Sequence, residues 1–196
     1  MGTLYERLEE LHHILELLTV DLQHLKPLLG ERSVAVAHTQ TEHALRRSYV
    51  RAFFALVEAL VEQQARLLVA LQDSGFVKLS PGMRDALTDT TYDVKTNGIV
   101  YERSMRLPLK SKIRALYRAA SEVLDEEIAV PFDDQGWGDF GAALKVRHAL
   151  THPKTPNDCY VEDEDLDVVD RAQAWHQNAH NELTEAMRMH RNKHGW

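Results

Sequence analysis

Leucine recurs at positions 4, 8, 11, 15, 18, 22 and 25 in alternating steps of four and three, the spacing of a heptad seam, and so predicts one long helix. Thr3 followed by Glu6 reads as the capping box that opens it, and Pro27 with Gly30 as its end. Ile14, Leu17 and Leu28 widen the apolar stripe beyond a narrow seam, so the pattern favours a helix packed on a core over a free-standing zipper. A second long helix is predicted from about Val36 to Ser74, stopped by Gly75, with Val50, Phe53, Phe54, Val57, Leu60, Val61, Leu68 and Leu71 on its apolar face. Arg47, Arg51, Glu58 and Glu62 fall along one edge of that face, where a salt-bridged border is expected.

Ser80-Pro81 can start a short helix, because serine caps and proline fits the first helical position. Asn97-Gly98 then sits between alternating β-formers, which predicts a small β-hairpin whose two turn residues both need positive φ. Pro108 precedes a helix to about Glu127, with Leu109, Ile113, Leu116, Tyr117, Ala120 and Leu124 on its apolar side. A loop through Pro131 and Gly136 leads to a helix carrying Trp137, Phe140 and Leu144. After Pro153 and Pro156, the acids Glu162 to Asp165 favour the positive end of a last helix over about residues 163–191. The expected fold is all-α: an up-and-down helical bundle over residues 36–192, an extra N-terminal leucine-rich helix over residues 1–30, and a small inserted β-hairpin.

With 196 residues and 44% hydrophobic composition, the chain can bury a core of one globular domain. No charged-then-apolar leader and no uninterrupted apolar run of about 18 residues is present, so a cytoplasmic protein without membrane contact is expected. The single cysteine, Cys159, has no cysteine partner for a disulfide or a zinc site. A net charge of −7 argues against a broad basic face that coats long nucleic acid, and leaves room for a small local site.

Candidate chemistry concentrates in the run Lys145-Val146-Arg147-His148-Ala149-Leu150-Thr151-His152-Pro153-Lys154. Arginine binds phosphate as a planar, permanently charged fork, and histidine transfers protons near neutrality. The spacing alone is weak, since Arg7, Arg32, Arg171 and Arg188 are each followed by a histidine at a like distance among eleven histidines. Position on the helix discriminates. With Phe140 as the zero of a helical wheel, Trp137, Leu144, Ala143 and Leu150 flank it, and Arg147 lands near the middle of this apolar face with Thr151 beside it. A guanidinium aimed at an interior or an interface needs a partner or a function; an acid such as Glu58 can supply the former. Pro153 disfavours helical geometry at His152, so the helix ends there. On an ideal continuation His152 stands about 140° around the axis from Arg147, so two copies facing each other could complete what one copy leaves open.

From Trp137 to Lys154 the sequence resembles the signature region of the HEPN superfamily, an arginine, a polar residue, a few further positions and a histidine, matched here by Arg147, His148 and His152. The run from Arg46 to Glu58 looks like the family's long first core helix, and the similarity spans about residues 36–192. The resemblance implies a dimeric α-helical bundle of the HEPN type. It further implies a metal-independent endoribonuclease with no cofactor, of the toxin, stress or phage-defence kind, with RNA as substrate and an antitoxin or regulatory protein as a further partner. Arg147 and His152 would be catalytic, His148, Thr151 and Glu58 supporting, and Lys154, Arg47 and Arg51 would guide RNA. Two features depart from the family pattern. His148 stands where asparagine is common, and Lys154 stands where the branch paired with a nucleotidyltransferase antitoxin has tyrosine.

Two other readings carry different tests. A catalytically silent HEPN-like module that binds RNA or a protein would use the Leu4 to Leu25 seam and cut nothing. A metal-binding helical protein would use His176 with His180 or His190 with His194, each pair one helical turn apart.

Overall fold

The computed structural model describes residues 4–29, 39–124, 126 and 128–195, with the backbone alone at 4–8, 10 and 11. Among these, six α-helices and one two-stranded antiparallel sheet account for most of the chain: α1 (Leu4–Leu28), α2 (Gln40–Asp73), α3 (Pro81–Leu87), β1 (Thr90–Val94), β2 (Val100–Ser104), α4 (Leu109–Val123), α5 (Gln135–Thr151) and α6 (Asp163–His194). The all-α expectation with a small hairpin holds. The predicted capping residue Thr3 and the stop at Gly30 lie outside the described residues, and Pro27 sits inside the last turn of α1 rather than beyond it.

Several predicted boundaries move. α2 starts at Gln40, not near Val36, because Thr39 and Glu42 form a reciprocal capping box: the Thr39 N–H donates to the Glu42 carboxylate and the Glu42 N–H to the Thr39 hydroxyl; residues 36–38 lie outside the described set. Its far end is a Schellman motif, with Phe76 N–H on Leu71 C=O, Gly75 N–H on Gln72 C=O, both at 2.9 Å, and Gly75 at φ +80°. Ser80 caps α3 by accepting the Met83 N–H, with Pro81 in the first turn, as the sequence suggests. α4 ends at Val123 with Leu124 as its C-cap, and the predicted end at Glu127 lies outside the described residues. α6 runs on to His194.

The hairpin forms where Asn97-Gly98 predicts it, but its turn differs. Gly98 N–H bonds to Lys95 C=O and Lys95 N–H to Ile99 C=O, and only Gly98 takes positive φ, at +80°. This is a three-residue loop, a type I turn closed by a glycine bulge, rather than a two-residue turn. Alternation along the strands does not translate into burial, since everything from Tyr92 to Ser104 is exposed.

Two compact units share the chain, one of residues 1–8, 60–130 and 180–196, the other of residues 9–59 and 131–179. The core of the first gathers Val61, Leu68, Leu71, Leu87, Ile113, Leu116, Leu124 and Leu183. It also holds Lys112, whose ammonium reaches Glu62 at 2.7 Å and Asp89 at 2.6 Å. Burial opposes that charge, but the hydrogen bonds to Asp89 and Glu62 together outweigh it, so Lys112 is held above its ordinary range.

In the second unit Tyr49, Phe53, Phe54, Val57, Phe140, Leu166 and Val169 are buried. Trp137 stacks on Phe140 at 5.5 Å between centroids, and Trp175 packs within 4.9 Å of Trp137 and 5.6 Å of Phe140. Gly136 makes the last contact feasible, because a Cβ there would fall 2.4 Å from Trp175 Cδ1. α1 contributes Leu22 to this core, while Lys26 donates to Gln173 Oε1 at 3.2 Å and lies 3.4 Å from Asp170. Ile14, Leu17 and Leu28, which widen the apolar stripe in sequence, are exposed.

Candidate functional site

α5 is set at both ends by its sequence. Asp134 accepts the Trp137 N–H at 2.8 Å as N-cap, and at the other end His152 leaves helical geometry with φ −132° and ψ 60° just before Pro153. The expected stop therefore occurs at the expected residue. Trp137, Phe140, Ala143 and Leu150 are buried along one face, and Arg147 lies among them on that face, as the wheel predicts.

Arg147 Nη2 donates to Glu58 Oε1 on α2 at 2.8 Å. The two side chains are 27% and 45% exposed, so the pair sits half in solvent. Thr151 donates its hydroxyl to the Arg147 carbonyl at 2.8 Å, and the His152 N–H bonds to the His148 carbonyl at 3.0 Å. His148, Thr151, His152 and Lys154 are all exposed. The helix end thus presents two imidazoles and a lysine to solvent beside an arginine held by a carboxylate.

Three arginines of α2 brace this end. Arg51 donates to the Leu150 carbonyl at 3.1 Å and Arg47 to the Cys159 carbonyl at 2.7 Å. Arg46, almost fully buried, donates to the Val161 carbonyl at 2.9 Å and to Asp163 Oδ1 at 2.6 Å. Arg47 and Arg51 therefore satisfy backbone carbonyls at the close of α5 and in the following loop, a use that differs from the expected border of side-chain salt bridges. Glu58 meets that expectation with Arg147, and Glu62 meets it with Lys112 and with Arg66 at 2.7 Å.

The loop after His152 is fixed by a residue that sequence reasoning passed over. Asp158 Oδ2 accepts the backbone N–H groups of Lys154, at 2.7 Å, and of Thr155, at 2.8 Å, ahead of a single 3₁₀ turn over Pro156–Cys159. These hydrogen bonds hold its carboxyl below the ordinary carboxylate range. The signal was present: Thr155-Pro156-Asn157-Asp158 has capping-box spacing. Arg46 was missed for the opposite reason, since one of its acceptors is a backbone carbonyl 115 residues away.

Of the paired histidines, His176 and His190 are buried, His180 is half-buried and His194 is exposed. His176 is buried and its ring lies nearly parallel to Phe140 at 6.3 Å. His180 takes the Gln64 amide on Nδ1 at 2.9 Å, and burial lowers its pKa, favouring the neutral ring. The rings of His190 and His194 lie 4.2 Å apart. Among the described residues, no group of three or more His, Cys, Asp or Glu is placed to hold a metal ion, and no helix is long and apolar enough to cross a membrane. No protein-family model, no curated protein and no solved structure matches the chain.

Proposed function

We propose that the protein is a metal-independent endoribonuclease of the HEPN type, a homodimer whose active site draws Arg147 and His152 from both copies. The observation that carries this reading is a permanently charged arginine seated among the buried residues of α5, with a histidine freed by proline at the end of the same helix. The resemblance of this run to the HEPN signature supplies the reaction class. The ribose 2′-hydroxyl attacks the adjacent phosphorus as the 5′-oxygen departs, leaving a 2′,3′-cyclic phosphate and a 5′-hydroxyl. His152 of one protomer accepts the 2′ proton, the partner's His152 returns a proton to the leaving oxygen, and Arg147 offsets charge building on the phosphate.

Glu58 orients Arg147 in the resting protein, and His148, Thr151 and Lys154 line the same helix end. The test is cleavage of RNA in the presence of EDTA, with end-group analysis of the products. Loss of cleavage in Arg147→Ala and in His152→Ala is the expected result, and unchanged cutting by either variant overturns the proposal.

The Arg147–Glu58 pair also favours a second reading, a silent HEPN-like module in which the arginine is purely structural. That reading requires that no RNA be cut by the wild-type protein.

A further inference from the structure

Residues 95–118 hold seven Lys and Arg against one acid, Glu102, a net of +6 in a chain of −7; from Arg103 to Arg118 there are six cations and no acid. This stretch belongs to the unit of residues 60–130 and 180–196, not to the one containing Arg147. Lys112 is committed to Glu62 and Asp89 in the interior. Lys95, Arg103, Arg106, Arg114 and Arg118 are exposed.

The hairpin in this stretch exposes aromatic rings next to the cations. Tyr92 and Tyr101 are 57% and 38% exposed, on opposite faces of the ribbon, since Tyr92 pairs with Glu102 and Asp93 with Tyr101. Tyr101 donates its hydroxyl to Asp93 at 3.2 Å, Arg103 reaches the same carboxylate at 4.0 Å, and the Lys95 ammonium stands 5.4 Å from the Tyr101 ring centroid. Tyr101 and Arg103 thus lie on one face of the ribbon with Asp93, and a lysine stands over the ring.

We infer that the hairpin and the cationic residues after it bind a single strand of nucleic acid. Lys95, Arg103 and Arg106 contact phosphates, and Tyr101, on the same face of the ribbon as Arg103, stacks on an unpaired base. A positive stretch with interleaved aromatics is what sequence-tolerant binding of single strands requires. A lipid surface would instead have to bury Asp93 and Glu102 along with the apolar side chains, at a cost in desolvation, whereas a bound strand leaves these exposed acids in water. The choice of RNA as that strand rests on the proposed function; the binding itself does not.

The experiment uses the full chain and a fluorescein-labelled, unstructured 20-nucleotide RNA made wholly of 2′-O-methyl nucleotides, which cannot form a cyclic phosphate. Anisotropy is read across a salt series. The variant Lys95→Ala/Arg103→Ala/Arg106→Ala should weaken binding at least tenfold and reduce the magnitude of the log K against log salt slope by about 2, at roughly 0.7 per phosphate contact on a single strand. Tyr101→Ala should weaken binding about tenfold with the slope retained, as loss of stacking demands. Circular dichroism checks that each variant folds.

An unchanged affinity and slope in the triple variant overturns the inference, and so does triple-variant-sensitive binding to phosphatidylserine vesicles in the absence of RNA binding. If the wild type cuts no RNA but binds the oligonucleotide through these residues, the inference stands and the nuclease proposal falls. If RNA is cut while the triple variant binds as wild type, the reverse holds.

Discussion

Arg147 on α5 and Glu58 on α2, 89 residues apart in sequence, form an ion pair at 2.8 Å. With 27% and 45% of the side chains exposed, the pair is screened by water and contributes at most about 1 kcal/mol to folding. Under the proposed nuclease function its larger consequence is for ligand binding, because a phosphate approaching Arg147 would compete with the Glu58 carboxylate. Glu58→Gln keeps an acceptor and removes the competing charge. The expected outcome is a fold of near wild-type stability with a KM for RNA lowered several-fold, whereas Arg147→Ala should lower kcat about 100-fold or more. Melting curves and steady-state cleavage kinetics check both, and a Glu58→Gln protein with raised KM contradicts the competition.

Asp158 sets the position of the backbone directly after His152 through its bonds to the Lys154 and Thr155 N–H groups. Asp158→Ala leaves these two donors to water and frees the loop, while the core residues of the unit keep their packing. Hydrogen exchange should show faster exchange at the Lys154 and Thr155 amides, with slow amides in α5 unchanged. Protection that persists at both amides would show that the loop is held by other contacts.

The sequence made visible those features that depend on residue type at short range. Ser80-Pro81, Gly75, Asn97-Gly98 and His152-Pro153 each mark a local backbone event, and each event occurs where its residues stand. The placement of Arg147 on the helix face of Phe140 follows from helical period alone, and Glu58 is one of the acids the sequence offers as its partner. What stayed hidden depends on backbone acceptors and on burial. Arg47 and Arg51 are spaced like a salt-bridged border, yet they donate to the carbonyls of Cys159 and Leu150, groups that every residue carries and no pattern singles out. In the hairpin, the alternating β-formers mark the strands but not what packs on them, and Val94 and Val100 lie open.

Asp139 supplies a prediction in pH. Its buried carboxylate receives Arg171 Nε at 3.0 Å and Gln135 at 3.3 Å, and the Arg171 hydrogen bond, outweighing burial, lowers its pKa. A carboxyl depressed in the folded state contributes stability that is fully present above the unfolded value, near 3.9, and is lost as pH falls through the lower folded value. Asp139→Asn removes this dependence. Urea unfolding at a series of pH values should show the wild-type advantage over the variant constant near neutrality and shrinking below about pH 4. An advantage that grows on acidification would reverse the assigned sign.

Gly136 and Gly138 lie two residues apart in α5 and should respond oppositely to the same substitution. A Cβ at Gly136 meets Trp175 at 2.4 Å from Cδ1 and 2.9 Å from Cγ. The indole cannot yield easily, because it packs against Trp137, Phe140 and Phe132. Overpacking of this kind costs about 1–3 kcal/mol. At Gly138 an added Cβ meets nothing within 4 Å, so alanine there only removes the entropy that glycine spends in a helix, a gain of about 0.5–1 kcal/mol. Urea midpoints should therefore fall for Gly136→Ala and rise for Gly138→Ala. Equal midpoints in the two variants would mean that the first turn of α5 can move off Trp175 at no cost, and that the aromatic cluster does not fix the helix carrying Arg147.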